Sequence, residues 1–115
     1  MRVTKIFTFD AAHRLQYYNG LCKNLHGHTY KLEVTCRGCG LTNGMLIDFA
    51  SLKQIVQDKI ISKLDHTYLN DVFSFEPTAE NMADWILKEL RQHLPIYSVR
   101  LYETPTSYAE VTVDD

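Results

Sequence analysis

The sequence predicts an α+β domain in which a four-stranded antiparallel sheet is covered on one face by two helices. Polar and apolar residues alternate at both ends of the chain, and two stretches of helical periodicity lie between them. The predicted order of elements is therefore ββααββ. The 115 residues suit one domain over residues 1–115, and the content of 45% hydrophobic and 23% charged residues is typical of a globular protein.

The first two predicted strands are residues 2–12 and 27–37. Phe7 and Phe9 share one face of the first strand, and the second strand alternates in the same way. Between the strands, residues 14–25 show no period and form a loop that is long for so small a domain. Loops of this length are usually functional.

Two amphipathic helices follow the first strand pair. Asp48 is a suitable N-cap for the first helix, which we expect to end near Asp65-His66, and Thr78 is a suitable N-cap for the second, which precedes Pro95. A loop with an Asn70-Asp71 turn is expected between them. The apolar stripes of the two helices consist of Leu52, Ile55, Val56, Ile60 and Leu64, and of Ala79, Met82, Ala83, Ile86 and Leu90.

The last two predicted strands are residues 98–103 and 108–113, joined by a turn. Two helices can cover only one face of the sheet, so the face that carries the polar residues of the second strand stays bare. Both edges of the sheet also stay unpaired, which a protein of this kind must manage. Closing the sheet with copies of the same chain removes both problems, so we expect a homo-oligomer.

Three histidines are the strongest chemical signal. His26 and His28 are two residues apart on a strand and therefore point to the same face, and His13 has the parity of Phe7 and Phe9 on the first strand. If the two strands pair, the three imidazoles meet. Three neutral imidazoles with an open fourth position form the catalytic arrangement for zinc. For any single histidine, an ordinary surface or core role is the alternative.

Four other residues are candidates for chemistry. Cys22 lies in the long loop just before His26, where its thiol can approach whatever the metal holds. Asp65-His66 is either an acid/base pair or a helix end with a histidine that suits the helix dipole. Glu103 has the parity of the apolar face, so it is either a rim residue or a carboxylate that accepts hydrogen bonds from a guanidine-like edge.

Composition excludes several classes of protein. The net charge of −2 argues against a nucleic-acid-binding surface, and no run of residues is apolar enough to span a membrane or to act as a signal sequence. An odd number of cysteines favours a reducing compartment, so a cytoplasmic location is expected. We interpret Cys36 and Cys39 as thiols that flank a turn.

An ordered set of motifs covers nearly the whole chain and resembles the 6-pyruvoyltetrahydropterin synthase and 6-carboxytetrahydropterin synthase superfamily. Each motif alone is weak, but the set in this order is specific. The motifs are Phe9-Asp10-Ala11-Ala12-His13, Cys22-Lys23-Asn24-Leu25-His26-Gly27-His28, Ile47-Asp48-Phe49, Leu64-Asp65-His66, Pro77-Thr78-Ala79-Glu80-Asn81 and Tyr102-Glu103-Thr104.

The resemblance implies a tunnelling fold, in which three ββααββ subunits close a barrel and two trimers stack into a homohexamer with active sites between subunits. It also implies a role for each candidate residue. Zinc is expected on His13, His26 and His28. Cys22 is expected to be the base, with Asp65 and His66 completing the proton-transfer set. Glu103 is expected to bind the pterin ring, with the Thr78 region beside it.

The spacing of the cysteine motif indicates which enzyme of the family this sequence resembles most. Three residues separate Cys22 from His26-Gly27-His28, which resembles the 6-carboxytetrahydropterin synthases of queuosine biosynthesis. These enzymes convert 7,8-dihydroneopterin triphosphate to 6-carboxytetrahydropterin with release of acetaldehyde and triphosphate. Arg14, Lys23 and Lys31 are candidates for the triphosphate, and the sequence does not choose among them.

Three other functions remain open at this point. The related synthase eliminates triphosphate and keeps the three-carbon side chain. A zinc hydratase or hydrolase would use zinc hydroxide and would not need Cys22. A metal- or pterin-binding module would bind the substrate without turnover.

Overall fold

The computed structural model describes residues 1–20 and 23–115. It has the predicted α+β architecture, with strands at both ends of the chain and helices between them. The elements are β1 (Arg2–His13), β2 (His26–Arg37), α1 (Phe49–Val56), a π-helical turn (Gln57–Ile61), α2 (Ser62–Leu64), β3 (Thr67–Tyr68), α3 (Leu69–Val72), α4 (Ala79–Leu90), β4 (Ile96–Thr104) and β5 (Ser107–Thr112).

Both predicted helix starts are confirmed. The Asp48 side chain accepts a hydrogen bond from the Ala50 backbone N–H, and the Thr78 hydroxyl accepts one from the Asn81 backbone N–H. Each cap satisfies a backbone donor that the first helical turn leaves free. The helical region that starts with α1 ends at Leu64, directly before Asp65, as the sequence indicated.

The sheet differs from the prediction in one strand. Its order is β3-β1-β2-β4-β5, and β3 pairs in parallel with β1 through Ala11 and Ala12, which makes a mixed five-stranded sheet. A strand of two residues is too short to show alternation, so the sequence predicts only a loop at residues 67–68. The expected Asn70-Asp71 turn is also wrong, since α3 occupies these residues.

The core lies between the helices and one face of the sheet. Phe9, Tyr30 and Leu32 of the strands pack against the apolar stripes of α1 and α4. These three strand residues are each at most 2% exposed. Cys36 is part of this core and its burial raises the pKa of its thiol to about 11. Cys39 is exposed and, like Cys36, is a free thiol.

Strand pairing opens a gap where the histidines lie. β1 and β2 pair without a break up to His13 opposite His26, but the pairing of β2 with β4 ends at Lys31 opposite Tyr102. Beyond that pair the two strands separate. His28 of β2 and Glu103 of β4 both line the cleft between the separated strands, with Nε2 of His28 3.2 Å from Oε1 of Glu103.

Candidate metal centre and active site

Four side chains meet in the gap between β2 and β4 and form what we call the histidine cluster, namely His13, His26, His28 and Glu103. One potential ligand atom from each lies within 4.8 Å of those of the others. His13 is completely buried, and its Nε2 atom is 3.0 Å from Nε2 of His26, its partner across the strand pair. Strand parity and register thus bring together the three histidines that the sequence singled out.

Backbone carbonyls set the orientation of two of these rings. Nδ1 of His13 lies 2.8 Å from the Pro77 carbonyl oxygen, and Nδ1 of His26 lies 2.7 Å from the Asn24 carbonyl oxygen. Because a carbonyl can only accept, each Nδ1 carries the proton and donates it. In the neutral form of each ring the Nε2 lone pair is then free, and the lone pairs of His13 and His26 repel each other across 3.0 Å. A cation between them removes this repulsion, so the residues present fit a metal ion.

His28 and Glu103 complete the cluster. Nε2 of His28 is buried and has no hydrogen-bond partner among the described residues, as expected of a ligand atom. Oε1 of Glu103 lies 3.1 Å from Nε2 of His13 and 3.2 Å from Nε2 of His28. Three imidazole nitrogens, with one carboxylate oxygen in reach, form a donor set that fits a metal ion.

The charges in the cluster also favour a cation. The contact with His13 is the largest influence on Glu103 and lowers the pKa of its carboxyl group, against the effect of burial. Burial is the largest influence on His13 and acts to lower its pKa, but Glu103 and the Pro77 carbonyl together raise it. The pKa of His28 is lowered, chiefly by burial, which keeps its ring neutral and able to act as a ligand.

Three cavities adjoin the histidine cluster. One, of about 570 Å³, touches His28 and also His66. Glu103 lines the other two. Of these two, the cavity of about 460 Å³ also touches His28, Lys31, Tyr102 and Thr104. The other, of about 240 Å³, also touches Ala79 and Glu80 at the start of α4. Thr78 is the N-cap beside this last cavity, and its hydroxyl is engaged by the Asn81 N–H. A ligand here can therefore contact Glu103 and the start of α4 at once.

A second group of titratable side chains, Asp10, Asp65 and His66, lies at the outer edge of β1, and we call it the edge cluster. Oδ1 of Asp65 accepts the Asp10 backbone N–H at 3.0 Å and lies 3.0 Å from Nδ1 of His66. The His66 N–H donates to the Asp10 carbonyl at 2.6 Å, and His66 has a positive φ of 59°. These contacts hold a backbone conformation that is uncommon for a residue other than glycine.

The edge cluster and the histidine cluster use opposite faces of the same strand pair. Asp10 has the parity of the polar face, where its carboxylate accepts a hydrogen bond of 2.5 Å from the Thr29 hydroxyl, whereas His13 faces the core. The His66 side chain is 79% exposed. Within one chain, Asp65 and His66 are therefore not part of the metal-binding group.

The comparisons with known proteins identify the family. Residues 2–114 match the model of the family described as 6-pyruvoyl tetrahydropterin synthase. The chain belongs to this family. The resemblance in its motifs is thereby confirmed, since the matched region is almost the whole chain.

Three relatives of this chain differ in the activities that their names state. A 6-carboxy-5,6,7,8-tetrahydropterin synthase from Haemophilus influenzae is 38% identical over 136 residues, which cover 95% of this chain and 96% of that protein. A dihydroneopterin monophosphate aldolase from Pyrococcus furiosus is 41% identical over 88 residues, 76% of this chain and 73% of that protein. The structure of 6-pyruvoyl tetrahydropterin synthase from Caenorhabditis elegans is similar with a TM-score of 0.87 at 28% identity, covering 97% of this chain and 94% of that one.

The fold of these pterin synthases is the tunnelling fold predicted from the motifs, so the prediction for the single chain is confirmed. Cys22 lies outside the described residues, and its role stays a prediction. No helix in the described ranges 1–20 and 23–115 is long and apolar enough to cross a membrane.

Sequence reasoning missed the groups that hold the site in place. The Asn24 and Pro77 carbonyls orient the histidines, and the side chains of Asn70 and Glu76 bind the backbone of the loop that follows His13. A backbone carbonyl has no residue signature. Asn70 and Glu76 are about 60 residues from the loop in sequence, so no local pattern marks these contacts.

Proposed function

We propose that this protein is a zinc-dependent 6-carboxytetrahydropterin synthase. It converts 7,8-dihydroneopterin triphosphate to 6-carboxy-5,6,7,8-tetrahydropterin, acetaldehyde and triphosphate in queuosine biosynthesis. The observation that carries the proposal is the convergence of three histidine Nε2 atoms beside cavities lined by Glu103. The naming of relatives such as the Haemophilus influenzae protein supports it.

His13, His26 and His28 are the proposed zinc ligands. Zinc on these residues supplies Lewis acidity that makes the two side-chain hydroxyls of the substrate more acidic. The Glu103 carboxylate accepts hydrogen bonds from the N–H groups of the pterin ring, a charge-assisted contact that fixes the position of the ring. The Thr78 region, at the start of α4, forms the wall beside Glu103.

Cys22 is the proposed base that removes a proton from the substrate side chain. Its place in sequence, in the loop between two zinc ligands, supports this role. Asp65 and His66 complete the proton transfers. Asp65 accepts hydrogen bonds that orient the His66 ring, and the pKa of Asp65 is lowered, first by its hydrogen bond with the Asp10 backbone and then by His66, so Asp65 stays ionised.

The proposal includes a homohexamer, built as a dimer of trimers, and the free edges of the sheet support it. β3 covers only Ala11 and Ala12 of β1, and the outer edge of β5 has no strand partner among the described residues. Pairing between copies would use these free edges. The Asp10 side of the edge cluster lies on the polar face of the strand pair, whereas the histidine cluster faces the core, which supports the supply of Asp65 and His66 to each active site by a second copy.

The proposal includes a cytoplasmic location and no nucleic-acid partner. The free thiols of Cys36 and Cys39 suit a reducing compartment, and the net charge is −2.

The related 6-pyruvoyl tetrahydropterin synthase activity is the second candidate, because the family model carries that description. Incubation of the zinc-loaded protein with dihydroneopterin triphosphate, followed by mass analysis, separates the two. Our proposal requires acetaldehyde and a pterin with a one-carbon carboxyl side chain. A three-carbon side chain would identify the second candidate, and binding without turnover would identify a binding module. Turnover that persists in Cys22→Ala would favour a zinc-hydroxide enzyme.

A further inference from the structure

Another cavity, of about 390 Å³, lies next to the metal centre and does not include Glu103. It is lined by Arg14, Gln16, Lys23, Asn24, Leu25 and Tyr68. Two of these residues connect it directly to the zinc ligands. Arg14 follows His13 in the chain, and the Asn24 carbonyl accepts the hydrogen bond of His26.

Two cations, Arg14 and Lys23, line this cavity. Among the described residues, neither Arg14 nor Lys23 has a carboxylate within 4 Å of its charged nitrogens. Glu76 is the acidic group that packs on this loop, but its two oxygens accept the backbone N–H groups of Gln16 and Tyr17. Arg14 and Lys23 therefore have no ion-pair partner in the described part of the chain, and their charges suit an anion.

The lining residues are held in place before any ligand binds. The Asn70 side chain forms two hydrogen bonds of 2.9 Å with Arg14, accepting from its N–H and donating to its carbonyl. Glu76 holds the Gln16 N–H at 3.0 Å. These contacts fix the backbone of two lining residues, which lowers the entropy lost on binding.

We propose that Arg14 and Lys23 bind the polyphosphate end of the substrate in this cavity. The inference rests on the proposed function, in which the ring lies at Glu103 and the side-chain hydroxyls lie at the three histidines. Arg14 follows His13 in the chain and the Asn24 carbonyl contacts His26, so a group that extends from the hydroxyls past these two histidines meets Arg14 and Lys23. Guanidinium and ammonium groups are the usual protein ligands for phosphate oxygens.

Lys31 is the competing cation, and its surroundings argue against it. It lines the 460 Å³ cavity with Glu103, at the ring end of the site. Its Nζ lies 3.8 Å from Glu33 Oε1 and 3.9 Å from the centre of the Tyr102 ring, so its charge already has partners.

Calorimetry with inorganic tripolyphosphate tests this assignment without requiring turnover. On the zinc-loaded protein we expect Arg14→Gln and Lys23→Gln each to weaken tripolyphosphate binding by about ten-fold to one hundred-fold, the loss typical of a hydrogen bond to a charged group. Arg14→Lys should recover part of the affinity. Lys53→Gln removes a charge from the exposed surface of α1 and is the matched control, with unchanged binding.

Zinc content is measured on every variant, because Arg14 adjoins a proposed ligand. Wild-type affinity in both Arg14→Gln and Lys23→Gln would overturn the proposal, as would failure of the wild-type protein to bind tripolyphosphate. So would a larger loss in Lys31→Gln than in either variant.

Turnover separates this inference from the proposed function. If tripolyphosphate binds through Arg14 and Lys23 but dihydroneopterin triphosphate is not converted, the cavity assignment stands and the proposed function fails. If the substrate is converted and the KM of both variants equals that of wild type, the function stands and the cavity assignment is overturned. We expect KM for the triphosphate substrate to rise while the affinity for dihydroneopterin, which lacks phosphate, stays the same.

Discussion

The histidine cluster and the edge cluster are built on the same pair of strands but differ in almost every physical respect. His13 is completely buried and points toward the core, whereas His66 is 79% exposed and lies on the polar side. The histidine rings are oriented by backbone carbonyls and aim their free nitrogens at one point. The edge cluster instead relies on hydrogen bonds with the backbone of Asp10.

This difference indicates two different tasks. A buried group of converging lone pairs is suited to hold a cation. An exposed carboxylate–imidazole pair is suited to exchange protons with a ligand that another surface presents. The comparison predicts that changes in the histidine cluster remove the metal, whereas changes in the edge cluster lower turnover and leave the metal bound.

The largest expected effect is the loss of metal from the histidine cluster. His28→Ala and His26→Ala should each lose most of their zinc, because each variant leaves only two of the three imidazole ligands. His66→Ala, a histidine variant in the edge cluster, should keep about one zinc per chain. Elemental analysis of the purified proteins measures this, and full occupancy in both former variants would remove these residues as ligands.

Next in size is the effect of removing the proposed base. Cys22→Ala should lower turnover by about 10²–10⁴-fold, as loss of a general base does, with zinc content unchanged. Cys39→Ala is the control, because Cys39 is exposed while Cys36 is part of the core. Zinc lost from Cys22→Ala would instead indicate a closed site with the thiol as fourth ligand.

Mixing two inactive variants tests whether a second copy joins the two clusters. If Cys22 and His66 of one active site come from different chains, Cys22→Ala and His66→Ala subunits reassembled together restore some sites. About a quarter of the sites would regain both residues after random mixing in equal amounts. Activity no higher than that of the separate variants, in mixed oligomers verified by mass spectrometry, would contradict shared sites.

A smaller effect is expected for the ring contact. Glu103→Gln should weaken substrate binding by roughly 1.5–3 kcal/mol, because a charge-assisted hydrogen bond is lost. Thermal unfolding should change much less, since the Glu103 side chain is 28% exposed. Steady-state kinetics measures substrate binding and turnover, and scanning calorimetry measures thermal unfolding. Unchanged KM and kcat would mean that Glu103 is a rim residue without a contact to the substrate.

The smallest effect concerns the pH dependence of the edge cluster. The pKa of Asp65 is lowered, first by its hydrogen bond with the Asp10 backbone, so its ionised form stabilises the folded state. This contribution is present above the ordinary aspartate pKa of about 3.9 and is lost as the pH falls through the lowered value. The difference in melting temperature between wild type and Asp65→Asn should therefore shrink below about pH 4. A difference that grows on acidification would mean that Asp65 is not stabilised as an anion.

Local patterns in the sequence determined most of the fold and the membership of the histidine cluster. Strand parity placed His13, His26 and His28 on one face, since side chains alternate strictly along a strand. Helical periodicity and the caps at Asp48 and Thr78 set the two main helices, because these signals act within a few residues. The motifs in their order were enough to indicate the family.

Tertiary structure alone decided how these pieces meet. The strand β3, the Pro77 carbonyl behind His13 and the side chains of Asn70 and Glu76 on the loop all depend on contacts between residues far apart in sequence. So does the separation of β2 from β4 that opens the gap at Glu103. No residue type specifies such contacts, because backbone groups are the same at every position and their partners are chosen by packing. For the same reason, only the structure could separate Arg14 and Lys23 from Lys31, three cations that the sequence left equal.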